Sequence, residues 1–174
     1  DSNRSYAICA TPRLLGGTWN GDVIIFANRD GLFKVNSIGG APTLIVSSDK
    51  SRQETVSYPW FLPDARHFLY VVDSSVADES GIYVGSLDSK QTKHLFDADS
   101  AAVFAPPDYI LFARRGALLA QRLDLTSLAP VGEPVSLASE VFVDTSVGST
   151  SVRGILAASA SSAGALRTTW RTLP

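Results

Sequence analysis

Residues 58–72 read YPWFLPDARHFLYVV, an aromatic cluster and a run of large apolar residues separated by a Pro-Asp turn. The next residues, DSSVADESGIYVGSLDSKQTKHLF (73–96), add a polar loop, a glycine opening a second apolar strand, and a third strand after another turn. The same order recurs on either side. Upstream is LLGGTWNGDVIIFANRDGLFKVNSIGGAPTLIV (14–46) and downstream VFAPPDYILFARRGALLAQRLDLTSLAPVGEPVSLA (103–138). A weaker copy, STSVRGILAASASSAGALRTTW (149–170), closes the series.

Laid over one another, the four blocks share a short turn (NGD, PDA, PPD, VRG) and then an apolar strand (VIIFA, FLYVV, ILFA, ILAA). Each then has a glycine before a second strand: GLFKV, GIYVG, GALLAQ, GALRTT. Three continue to a third strand, PTLIV, TKHLF and PVSLA. The matching residues Phe26, Tyr70, Phe112 and Ala157 are spaced by 44, 42 and 45. A period of this size, strand after strand without a helical stripe, is the mark of propeller blades.

The middle strands support this. VIIFA and FLYVV are apolar on consecutive residues, as strands are when both faces are buried. Prolines 42, 59, 63, 106, 107 and 134 are expected at turns or strand ends, where no ladder donor is lost. The sequence therefore predicts an all-β chain, a β-propeller of about four four-stranded antiparallel blades at 14–50, 56–97, 101–139 and 144–172. A β-sandwich is the competing architecture. SYAIC (5–9) is expected as an orphan outer strand. The ring closes alone if SYAIC completes the last blade. Otherwise the chain is part of a larger propeller, and its open edges would favour self-association.

Composition narrows the rest. The 174 residues are 45% apolar and 18% charged, enough for one folded core. With 15 basic and 17 acidic residues the net charge is -2, no footprint for nucleic acid or an anionic membrane. No apolar run is long enough to insert in a bilayer. Cys9 is the sole cysteine, which excludes an internal disulfide and a Cys-based zinc site. The chain begins at Asp1 and holds no methionine, so it is expected to be an excerpt of a longer polypeptide.

WFLPDARHFLYV followed by GIYVGSLDS resembles the TolB-type, WD40-like propeller repeat, with Leu62 for its serine and Ala65 for its glycine. The set GGTWN, FLPDARHFLYV, SGIYVGSLDSK and GEPV resembles the C-terminal propeller of bacterial, notably acidobacterial, membrane-anchored serine/threonine protein kinases. The resemblance covers about residues 14–141, and the fourth block departs from it by losing the aromatics. It implies an extracytoplasmic, periplasmic sensor or scaffold attached to a kinase. The kinase motifs themselves are not in this chain: it carries no glycine-rich loop, no His-Arg-Asp and no Asp-Phe-Gly.

Candidate sites are few. Trp19, Tyr58, Trp60 and Phe104 are expected on the strand that lines a central channel. There they could form a ring of ligand contacts, although packing between blades accounts for them more simply. The only histidines, His67 and His94, are expected as ordinary strand residues, and there is no G-x-S-x-G elbow to pair with them. The acids Asp73, Asp78 and Glu79, and Asp97 and Asp99, match no calcium-loop spacing and are expected in solvated turns. Arg29, Arg52, Arg66, Arg114 and Arg115 are expected in turns or loops, mostly solvated. Asn3-Arg4-Ser5 fits a glycosylation acceptor pattern.

The expectation is a non-enzymatic module with no metal or cofactor, binding a protein, peptide or small ligand. The alternatives are a gating propeller of a prolyl-oligopeptidase-like hydrolase and a propeller-type sugar-active enzyme.

Overall fold

The computed structural model describes residues 7–141, 158–160 and 166–168. Strands β1 (Gly17–Asn20), β2 (Val23–Asn28), β3 (Gly31–Asn36) and β4 (Thr43–Ser47) form a first antiparallel sheet in chain order. Strands β5 (Thr55–Phe61), β6 (His67–Asp73), β7 (Gly81–Ser86) and β8 (Thr92–Phe96) form a second. Strands β9 (Val103–Ala105), β10 (Tyr109–Arg114), β11 (Ala117–Asp124) and β12 (Ala129–Ser139) form a third. A two-stranded ladder, β13 (Ala158–Ala160) with β14 (Leu166–Thr168), comes last. The fold is all-β, and its sheets are blade-like. Helical structure among the described residues is limited to 3-10 turns at Lys50–Arg52 and Ala77–Glu79, and no described sheet closes on itself.

The stretch 58–72 sits in the second sheet, and the residues of its β6 strand face two cores by turns. Leu69 and Val71 of β6 join Leu62, Ile82, Val84, Ile110, Phe112 and Leu123 between the second and third sheets. Phe68, Tyr70 and Val72 join Ile25, Leu32, Val56 and Phe61 between the first and second. All five consecutive β6 residues are buried, which is why FLYVV reads as an unbroken apolar run. Each such side chain contributes about 1.5–3 kcal/mol by leaving water. Phe96 stacks on Phe112 across the second boundary, with ring centroids 4.5 Å apart.

The Pro63-Asp64-Ala65 turn joins β5 to β6. The Leu62 N–H donates to the His67 carbonyl at 2.8 Å and the Ala65 N–H to the Leu62 carbonyl at 3.1 Å. Ala65 has φ +56°, the left-handed conformation that Gly21, 44 residues earlier in the turn before β2, also takes at φ +55°.

The first strands of the sheets lie side by side: β5 runs against β1 and β9 runs against β5. The last strands, β4, β8 and β12, are largely exposed. Pro59 departs from expectation. It lies inside β5, where the register slips between Ser57 and Trp60 and Tyr58 has φ +50°. At that bulge the ladder is already broken, so the missing proline N–H leaves no acceptor unpaired. Pro134 lies in β12, a sheet edge. Of SYAIC, Ala7–Cys9 are described and lie in no strand. Most of the fourth block lies outside the described residues.

Candidate functional site

The bulge in β5 carries Tyr58 and ends at Trp60. The Tyr58 N–H donates to the Leu15 carbonyl at 2.9 Å, tying β5 to the chain entering β1. The approach is so close that a Cβ on Gly16, whose φ is +102°, would stand 2.9 Å from the Tyr58 Cα. Tyr58 and Phe104 both pack on the core between the second and third sheets. Trp60 lies opposite Leu69, so its ring is on that same side of β5. It is 36% exposed. Burial pushes the Tyr58 hydroxyl up against the pull of Arg13, which keeps it a neutral donor.

Trp19 is placed apart. It pairs with Ile24, on the face of the first sheet opposite to the one carrying Ile25 and Ala27, which packs on the second sheet. It is 65% exposed, and its indole N–H donates to the Gly21 carbonyl at 2.6 Å. Three of the four expected residues therefore share one inter-sheet boundary, and the fourth stands on a different face. Tyr58 and Phe104 pack into the core, whereas Trp60 and Trp19 are exposed.

Each histidine has an aspartate three residues away. His67 Nδ1 is 2.5 Å from Asp64, and His94 Nε2 is 3.5 Å from Asp97. No hydroxyl is hydrogen-bonded to either ring among the described residues. The acidic stretch 73–80 forms a turn in which Glu79 pairs with Arg52. Among the described residues no three His, Cys, Asp or Glu side chains are grouped to hold a metal.

Arg29, Arg52, Arg66 and Arg115 are exposed, as expected, whereas Arg114 ends strand β10 and is half-buried. Arg66 pairs with Asp88 at 2.5 Å, and the Arg114 guanidinium lies 5.7 Å from the Phe112 ring centroid. Asp99 is exposed in a bend, as expected, and there accepts the Arg115 N–H at 2.5 Å, bracing a residue with φ +50°. Next to it Ser100 is buried, with its hydroxyl donating to the Ala101 carbonyl at 2.7 Å and accepting the Ala113 N–H at 2.8 Å.

One concave feature was not visible in the sequence. Between β4 and the outer half of the second sheet lies a cleft of about 420 Å³, with Tyr70, Tyr83 and Thr92 on one wall and Ile45 and Val46 on the other. Arg52, Glu54 and Glu79 close one end. The closing loops are cross-braced. Asp49 caps the 50–52 turn through the Ser51 N–H at 2.9 Å, and the Ser75 hydroxyl donates to the Arg52 carbonyl at 2.7 Å. The Tyr83 hydroxyl donates to the Glu79 carbonyl at 2.8 Å. These residues come from two sheets, and no local pattern links them.

No family model and no curated protein matches this chain. Among solved structures it is similar to the crystal structure of the computationally designed Ika4 protein. The TM-score is 0.51 at 12% identity, over 96% of this chain and 99% of that one. At that identity the similarity concerns the fold alone.

Proposed function

We propose that this chain is a non-catalytic binding module, its blade-like sheets arranged as a β-propeller of the TolB type. One observation carries the reading: the first strands β1, β5 and β9 lie beside one another, and Trp60 is exposed on the side of β5 where Tyr58 and Phe104 pack into the core. An exposed tryptophan on a strand packed into a rigid core is a low-entropy anchor for a protein, peptide or small ligand. The sequence resemblance extends this to the extracytoplasmic sensor or scaffold of a serine/threonine protein kinase. An unfinished ring would also favour self-association through its open edges.

Two measurements test the proposal. Binding of the wild-type chain and of W60A is compared on peptide and glycan arrays. Loss of specific signals in W60A supports the site, and identical patterns sink it. The coding DNA upstream of Asp1 is then translated. A kinase catalytic set followed by about 20 apolar residues supports the sensor reading, and blades alone remove it.

A further inference from the structure

The cleft between the first and second sheets is independent of the aromatic boundary and has a chemistry of its own. Its charges are unevenly satisfied. Arg52 is held by Glu79 and by Asp49, the latter at 3.5 Å, so its cation is already used within the wall. Glu54, half-buried at the same end, has no ion-pair partner among the described residues. Two tyrosines stand opposite, their ring centroids 5.7 Å apart. Tyr70 is 2% exposed.

We propose that this cleft binds a small ligand bearing an alkyl ammonium or guanidinium group, with Glu54 as counter-ion and Tyr83, backed by the buried Tyr70, as its aromatic wall. The choice of a cation comes from what the cleft lacks. An anionic ligand would meet Glu54 and, among the described residues lining the cleft, find only Lys90 as an uncommitted cation. A cation gains a partly desolvated carboxylate together with the electron-rich Tyr83 ring, a combination stronger than either in open water. The aliphatic side chains of Ile45, Val46 and Val72 supply a surface for the ligand's methylene stem. The volume is in the range of small-molecule pockets.

The test is a titration of the whole chain with 1,5-diaminopentane, and with 1,5-pentanediol as the neutral isostere, monitored by amide NMR shifts. The expected result is saturable shifts around Glu54, Tyr70, Tyr83 and Thr92 with the diamine and none with the diol. E54Q, checked for an intact melt, should weaken binding by roughly tenfold or more, the worth of a charge-assisted contact. W60A should bind the diamine normally, which separates this site from the aromatic one. Equal shifts from the diol, unchanged affinity in E54Q, or no saturable shift in the wild type would each overturn the proposal.

Discussion

Asp64 accepts the main-chain N–H of His67 at 2.9 Å, and its other carboxylate oxygen lies 2.5 Å from the Nδ1 of the same histidine. With the Arg66 N–H at 3.0 Å, one side chain organises the whole β5–β6 turn. Burial opposes ionisation of Asp64, but the hydrogen bonds from His67 and Arg66 outweigh it and hold the carboxyl below its ordinary range. D64A is expected to cost about 1–2 kcal/mol at neutral pH. A lowered carboxyl stabilises the fold above the unfolded value and stops doing so as pH falls through the folded one. The gap between D64A and wild type should therefore narrow below about pH 4. Urea melts at several pH values check this, and a gap independent of pH would count against it.

Ala65 occupies the left-handed region at φ +56° in the same turn. A Cβ there costs about 1–2 kcal/mol, part of which glycine returns through its looser unfolded state. A65G is expected to stabilise the chain by about 0.5–1 kcal/mol. A melting midpoint that falls would mean that the Ala65 methyl makes contacts worth more than the strain.

Gly31 and Gly81 open β3 and β7 at φ +147° and +151°. In both, the neighbouring outer strand's carbonyl covers the glycine: a Cβ would stand 2.0 Å from the Val46 oxygen and 2.5 Å from the Phe96 oxygen. The register shifts one residue further on, between Leu32 and Phe33 and between Ile82 and Tyr83, bring those carbonyls in. G31A and G81A are each expected to lose about 2–4 kcal/mol through strain and backbone clash. Gly116, before β11, has φ +73° and open space around it, so G116A should lose only about 1 kcal/mol. Chemical denaturation of the three variants settles the ranking, and equal losses would contradict the clash.

These glycines also mark how far the sequence could be read. Their recurrence, and the consecutive apolar residues of β2, β6 and β10, come from local backbone need and two-sided burial, so they appear directly in the residues. The first strands were harder. GTWN is short and mostly exposed, and TVSYPWF carries a proline that reads as a strand end until the bulge at Tyr58 is known. Trp19 differs from Tyr58, Trp60 and Phe104 in sidedness, which the sequence does not reveal. All four lie on first strands, but the pairing of Trp19 with Ile24 turns it to the other face of its own sheet. The cleft was out of reach for a different reason. Ile45 and Val46 of β4 come to face Glu54 and the second sheet's Tyr70 and Tyr83 only because two sheets pack at one particular offset, and no periodicity encodes that.

Glu54 offers a test that needs no ligand. Burial pushes its carboxyl up, and the nearby Asp49 and Glu79 charges push the same way, against a main-chain hydrogen bond from Asp49 and the more weakly felt Arg52. A raised carboxyl means that the folded state holds the proton more tightly than the unfolded one. Stability then falls as pH rises from the unfolded value, about 4.3, through the folded one, and above that window the cost persists. E54Q carries no such charge, so it is expected to melt above wild type at pH 7 and to match it near about pH 4. Thermal melts at both pH values read this directly. If E54Q instead melts lower at neutral pH, Glu54 is held by attractive partners and is not the uncompensated carboxylate on which the cation site depends.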